Sequence, residues 1–510
     1  MPAELPQLKK RVDAARVVTV PEELEINEID KNNIVVGRGG FGQGTDGLLL
    51  LGVVAERQLA KRNYVNARAW IDVSSPKIIF VCGRRGQGKS YTLGTMAEGL
   101  AFLNKGKQVA TAVSGKIAVV LIDTMGQFWT MAFPPDGTVD EEEKRQLRML
   151  AEWGLRPDAI SSISVLVPPG TRLPFRFFSE FTVKPNELTI EDWSGLFDID
   201  PYVDPMGHLL SMAYRKVVSE GYEHALQFDS ETGDPISVTH VKPKADYEIA
   251  DLIECITHDV EINSPAGFKP DTIRALRVRL EEARAWNIFG RSGIDVSALL
   301  GGGGLHIIDL SSLEEKKQAL VTGILARKIY YFMREARNIA EESQRRRSKK
   351  FKEIGRKGTP SREAKEKTDG VADIVWLMVD EAHVMCPARG SSLAKKALIS
   401  YAKQGRRYGL SIALATQRPS AVDNELISQK DILICHQLGL DADVESVISN
   451  FGTEVPTMVK ARGREITSSP ARYMIRRLRR GEALIAVEGE VNRIFLANIR
   501  PRLTVHGGRE

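Results

Sequence analysis

Apolar positions along the chain fall into two patterns. Short unbroken runs at Lys77–Cys82, Ile117–Asp123, Leu305–Leu310, Ile374–Asp380, Ser411–Thr416 and Ile432–Leu438 have the length of strands buried on both faces. Between them lie helix-forming stretches at Ser90–Asn104, Leu313 to about Ile339, and about Leu393 to Tyr408. Strands alternating with helices predict βαβ units, so the fold class is α/β with a mostly parallel sheet. Residues 76–134 and 300–510 carry this rhythm. The strand-like runs Ala483–Val487 and Arg493–Ile499 close it.

Two regions depart from the rhythm. Residues 1–75 are short strand-like runs, Arg16–Val20, Asn33–Val36 and Leu48–Val54, broken by turn residues, and predict a small β-rich domain. Within it GRGGFGQGTDG matches GxGxxG at Gly37, Gly39 and Gly42. No helix pattern follows, as a dinucleotide fingerprint requires, so the expectation is a glycine-rich hairpin. Residues 135–299 read as a mostly helical insertion, with amphipathic stretches at Asp140–Trp153 and Asp271–Phe289. Residues 341–369 hold eleven basic side chains against six acids and few large apolar ones. This is either a solvated basic linker within the core or a phosphate-contacting arm.

One segment carries specific chemistry. Gly83-Arg84-Arg85-Gly86-Gln87-Gly88-Lys89-Ser90 is a complete GxxxxGKS between a predicted strand and a predicted helix. Its glycines let successive N–H groups turn inward around phosphate oxygens, and the following helix presents its positive end to them. Lys89 is placed to reach the β- and γ-phosphates, the Ser90 hydroxyl to ligate Mg²⁺, and the cradle runs on to Tyr91. Asp380 and Glu381 end the apolar run from Ile374. Asp380 is the candidate for the Mg²⁺ shell. Glu381, expected to point the other way along the pleat, is the candidate to orient or deprotonate a water.

Other candidates have two readings each. Gln417, at the end of Ser411–Gln417, either senses a γ-phosphate or caps a turn. Arg406 and Arg407 end a predicted helix, so they either complement its dipole or serve a neighbouring subunit as an arginine finger. Asp123 is expected to cap a turn, and His383 to pack or relay a hydrogen bond. Basic candidates for phosphate contact are Arg172, Arg176, Lys395 and Lys396, together with the turn Ala388–Ser392.

Composition narrows the picture. Hydrophobic residues are 43% and charged residues 27%, which excludes a collagen-like or wholly disordered chain. No apolar run approaches the roughly 18–20 residues of a membrane-spanning helix. The first residues, MPAELPQLKKRVD, lack the apolar core of a secretory signal. Four scattered cysteines form no CxxC, so neither a disulfide framework nor a zinc site is expected and a cytoplasmic location fits. A net charge of +5 permits an anionic partner without requiring one.

Together, CGRRGQGKSYTLG, LMVDEAHVMCP, YAKQGRRYGLSIALATQRPS and the terminal RPRLTVHGG resemble the HerA branch of the HerA/FtsK superfamily. The resemblance implies a RecA-like P-loop ATPase core with a shortened, barrel-like N-terminal domain. It implies a homo-hexameric ring that binds ATP and Mg²⁺ between subunits and translocates on, or unwinds, double-stranded DNA in its pore. Residue by residue it makes Lys89 and Ser90 the Walker A pair, Asp380 and Glu381 the Walker B pair, and Gln417 the sensor. Arg406 becomes the trans-acting finger, with Arg407 second, and the C-terminal tail braces a neighbouring protomer. Such motors work with a nuclease, in repair, or with a sirtuin-like or other effector in antiviral defence. A second reading makes the ring an ATP-regulated scaffold that activates an effector enzyme. A third is a protein-pumping secretion ATPase.

Overall fold

The structure, a computed structural model, describes residues 16–19, 28–38, 44–58, 64–103, 108–138, 140–175, 177–229, 235–301, 303–347, 370–451, 458–461, 464–466, 468–487 and 494–507. The strands in chain order are β1 (Arg16–Thr19), β2 (Glu28–Asp30), β3 (Asn33–Val36), β4 (Leu48–Val54), β5 (Arg57–Gln58), β6 (Arg68–Asp72), β7 (Ile78–Cys82), β8 (Ile117–Asp123), β9 (Ile163–Val167) and β10 (Phe178–Glu180). They continue as β11 (Tyr222–Phe228), β12 (Pro235–Val241), β13 (Gly304–Asp309), β14 (Ile374–Val379), β15 (Leu410–Thr416), β16 (Ile432–Cys435), β17 (Met458–Ala461), β18 (Arg464–Ile466), β19 (Glu482–Val487) and β20 (Ile494–Ile499).

Fourteen of these strands make one sheet, in the order β10-β9-β13-β8-β14-β15-β7-β16-β19-β20-β4-β6-β3-β2. From β10 to β16 every pairing is parallel. Beyond β16 the sheet turns antiparallel, apart from the β3–β6 pair. The central parallel strands β7, β14 and β16 are apolar throughout because both faces are covered. Alternate residues enter two cores: Val375, Leu377 and Val379 of β14 face one, and Ile374, Trp376 and Met378 the other. Helix Lys89–Phe102 packs in the second core and helix Glu315–Arg347 in the first.

Several expectations differ from the structure. Asn33–Val36 and Leu48–Val54 do not form a hairpin, because β6 lies between them. Gly39 and Gly42 of that segment lie outside the described residues. β4 instead pairs with the C-terminal strand β20, which ties the first part of the chain into the core sheet. Gly52 allows this contact, since a Cβ there would stand 2.0 Å from the Asn498 carbonyl oxygen. Residues 135–299 are not all helical. The β-branched run Ile163–Val167 joins the parallel sheet beside β13, and Phe178–Glu180 follows it. Tyr222–Phe228 and Pro235–Val241 form a separate antiparallel pair. Helices Ile190–Phe197, Pro205–Arg215, Ile249–His258 and Pro270–Arg284 supply the rest. The Asp140 side chain caps Glu141–Trp153 by accepting from the Glu143 N–H at 2.9 Å, which is why that helix starts there. The long helix holds this region through Arg327, 2.7 Å from the Asp192 carboxylate, and Lys328, paired with Glu187. Positions 348–369 of the basic segment lie outside the described residues.

Candidate functional site

Parallel strands deliver their carboxyl ends to one edge of the sheet, and there the loops after β7, β14 and β15 meet. The loop after β7 is shaped by glycine. Gly86 and Gly88 take positive φ values of 74° and 113°, which a side chain would resist. Gly83 is closely faced: a Cβ there would lie 2.6 Å from the Cβ of His436. Lys89 opens the helix and is 6% exposed.

The loop after β14 brings both carboxylates to this loop. Asp380 is fully buried, and its Oδ2 accepts from the Ser90 hydroxyl at 3.0 Å. Its Oδ1 accepts from the Glu381 N–H at 2.9 Å. Burial, then the neighbouring Glu381, holds the Asp380 carboxyl above the usual carboxylate range, against the pull of Lys89 and Ser90. Glu381 does not point away along a pleat, because β14 ends at Val379. Glu381 takes the left-handed conformation (φ 50°), strained for a non-glycine residue, and opens the short helix Ala382–Met385. This turn brings Oε1 to 3.6 Å from Lys89 Nζ. His383 lies 3.3 Å from the other Glu381 oxygen and 3.2 Å from the Thr416 hydroxyl. Burial, with Arg418 nearby, pushes its imidazole below its ordinary value.

Gln417 follows Thr416 at the end of β15, between β14 and β7, and the Gly83 N–H donates to the Thr416 carbonyl at 3.2 Å. Arg84 and Arg85 are exposed on the loop, while Gly86, Gln87 and Gly88 are half-buried. The Tyr91 hydroxyl accepts from the Arg502 N–H at 2.7 Å.

Arg406 and Arg407 are elsewhere. They stand on a 3-10 turn, Arg406–Tyr408, that enters β15 at its amino end. Arg406 is 2.6 Å from Asp431, whose other oxygen accepts from the N–H of Ile78, the first residue of β7. A five-residue strand separates that edge from the glycine loop by about 16 Å, at roughly 3.3 Å per residue. Neither guanidinium is near the site of its own chain, and their side chains are 59% and 68% exposed.

Asp123 caps a turn: its carboxylate accepts from the N–H groups of Met125, Gly126 and Phe128. Burial, with Asp309 and then Asp380 nearby, pushes it up to about 7. Among the phosphate-contact candidates, Arg172 and Lys396 are exposed. Lys395 is engaged by Asp423 at 2.8 Å and by the Pro387 carbonyl. Arg176 lies outside the described residues.

Three features escaped the sequence reading. His436 follows β16 and lies against the glycine loop. Its Nε2 stands 2.8 Å from the Thr92 hydroxyl, and its Nδ1 is 2.9 Å from the Glu482 carbonyl oxygen. The signal available was a histidine at the end of an apolar strand. Gln127 donates to Asp380 Oδ2 at 3.0 Å, and DTMGQFW gave no local hint of it. The third is how the C-terminal segment packs on its own chain. Arg500 and Glu98 are fully buried and 2.5 Å apart, and Arg500 also donates to the carbonyls of Leu50 and Thr95. Thr504 donates its N–H to the same Glu98 at 2.8 Å.

A parallel sheet with a GxxxxGKS loop on a central strand, and an acid pair on the next strand but one, defines a P-loop ATPase. Residues 77–329 match the family described as "Helicase HerA, central domain". That match and the curated relatives make the chain similar to the HerA-type P-loop ATPases. It is 26% identical over 156 residues to the DNA double-strand break repair helicase HerA of Pyrococcus furiosus, a match covering 30% of this chain and 27% of that protein. The chain thus aligns with about a quarter of that curated relative's length. Among solved structures it is similar to VirB4 of Thermoanaerobacter pseudethanolicus, with 15% identity, 89% of this chain and 96% of that chain covered, and a TM-score of 0.45. The bacterial conjugative coupling protein TrwBdeltaN70 matches with 14% identity, 87% and 90% coverage, and a TM-score of 0.44. Among the described residues no helix is long and apolar enough to cross a membrane.

Proposed function

We propose that this ATPase works as a hexameric ring whose hydrolysis cycle moves it along, or unwinds, double-stranded DNA held in the central pore. One observation carries the reading. Each chain places Lys89, Ser90, Asp380, Glu381 and Gln417 at one edge of its sheet, and exposed Arg406 and Arg407 at the opposite edge. A pocket on one copy is then completed by a guanidinium of the next. The fork of an arginine stabilises charge developing on a transferring phosphoryl group.

Within the pocket, the loop from Gly83 to Tyr91 cradles the phosphates and Lys89 binds the β- and γ-phosphates. The donor set fits Mg²⁺. The Ser90 hydroxyl and the buried Asp380 carboxylate are hard oxygen donors 3.0 Å apart. Among the described residues no cluster of three or more His, Cys, Asp or Glu side chains could hold a metal unaided. This suits an ion that shares its shell with phosphate and water. When bound, Mg²⁺ offsets phosphate charge. Glu381 orients the attacking water and accepts its proton, with His383 Nδ1 3.3 Å from its second oxygen. Gln417, between the two loops, registers the γ-phosphate and passes its presence to Arg418.

The DNA-handling part of the reading rests on likeness to the Pyrococcus helicase and on basic side chains at the carboxyl edge, Arg172 and Lys396 among them. A nuclease or other effector acting with the ring belongs to the same proposal, and repair and antiviral defence are the processes it would serve. The test is ATP hydrolysis with and without duplex DNA across a salt series. Stimulation that fades as salt rises is expected, because phosphate contacts release counterions. A rate that duplex DNA leaves unchanged at every salt concentration overturns the motor reading and leaves the scaffold ring.

A further inference from the structure

We infer that Gln127 is a positioning residue for the carboxylate of Asp380, set in place by its own turn and by the C-terminal segment. The inference rests on the proposal that Asp380 serves the metal shell.

The turn that carries Gln127 is fixed from both sides. Upstream, the buried Asp123 carboxylate accepts from the N–H groups of Met125, Gly126 and Phe128 at 2.8–3.1 Å. Downstream, the Thr130 hydroxyl lies 3.1 Å from the Gln127 carbonyl and 3.0 Å from the carbonyl of Val505. Gly507 presses on the same Gln127 carbonyl, so closely that a Cβ there would stand 2.4 Å from it. Phe128 next to it is fully buried. The backbone of Gln127 is therefore held by its own turn and by the C-terminal segment.

From this base the side-chain amide reaches Asp380 Oδ2 at 3.0 Å, the oxygen that also accepts from Ser90. With the Glu381 N–H on Oδ1, three donors fix the plane of the carboxylate. A cation would bind the Ser90 oxygen through a lone pair and leave its O–H to donate, so Ser90, Gln127 and the Glu381 N–H would together hold Asp380. An amide suits the place better than an acid, because Asp123, Asp309, Asp380 and Glu381 already crowd this edge. Gln127 supplies a donor without adding a fifth negative charge. Partners of this kind orient a ligating carboxylate, and their loss typically costs about 10–100-fold in metal affinity.

The experiment follows binding of a fluorescent ATP analogue while Mg²⁺ is titrated, with a parallel arm in EDTA. The wild-type chain is compared with Gln127→Leu, Gln127→Glu and, as reference, Asp380→Asn. Each variant is first checked for an unchanged urea midpoint, and Gln127→Glu serves if the leucine variant does not fold. For either Gln127 variant, the Mg²⁺ concentration at half-saturation should rise about tenfold or more, with EDTA binding within about twofold of wild type. Equal loss in both arms, or no shift in the Mg²⁺ arm while Asp380→Asn shifts it, overturns the inference alone. No shift for Asp380→Asn overturns the metal-shell reading on which it stands.

Discussion

Lys89 and Glu381 are 3.6 Å apart, yet their losses should separate cleanly. On the proposed roles, Lys89→Ala removes a phosphate contact and should abolish both tight ATP binding and hydrolysis. Glu381→Gln keeps the side chain's shape but removes the base. It should bind ATP normally and hydrolyse it at least 100-fold more slowly, the usual size of a general-base effect. Phosphate release and equilibrium binding of a fluorescent analogue distinguish the two. His436 offers a second check. Burial pushes its imidazole down to about 4, from an ordinary 6.5. The folded chain therefore keeps it neutral where the unfolded chain takes up a proton. Stability from this group is complete above about 6.5 and is lost as pH falls towards 4, by about 3 kcal/mol in all. His436→Asn should flatten that part of a urea-midpoint pH series. At this scale the sequence was legible where chemistry follows chain order. Gly83 to Ser90 and the Asp380–Glu381 pair announce themselves through spacing and flanking strands. Gln127 and His436 act across 253 and 344 residues of sequence separation, so no local pattern could reveal them.

At the scale of elements, the apolar runs gave the strands because a two-sided core tolerates few polar residues in them. Pairing was harder to read. β4 lies beside β20 from the far end of the chain, and that neighbour is chosen by close backbone approach at Gly52 rather than by any repeat. The intramolecular seat of the C-terminal segment was hidden for a related reason. Nothing local in RPRLTVHGG shows that Glu98 waits inside helix Lys89–Phe102. Breaking that pair leaves a buried charge, so Arg500→Ala should destabilise the fold by about 3–5 kcal/mol. The double variant Arg500→Met, Glu98→Leu should recover much of it. Urea unfolding of the three chains measures both effects. Recovery in the double variant would separate the cost of an orphaned carboxylate from a general need for the tail.

For the whole molecule, the proposal that neighbours share a pocket makes a mixing experiment decisive. Lys89→Ala and Arg406→Ala should each be nearly inactive alone. Mixed, they should regain a measurable fraction of wild-type hydrolysis, because some contacts then join an intact Lys89 to an intact Arg406. No recovery after subunit exchange, or a solution mass of one copy with nucleotide present, would rule out the shared pocket.

The same opposition of edges sets a counting rule. Copies that meet front to back make heterologous contacts, which run on as an open spiral unless the rotation brings the last copy round to the first. In an open arc one terminal pocket lacks its guanidinium and one terminal guanidinium lacks a pocket. If the proposed pocket is shared, a broken circle would have one fewer working pocket than it has members, and sealing the seam would gain a catalytic centre without adding a subunit.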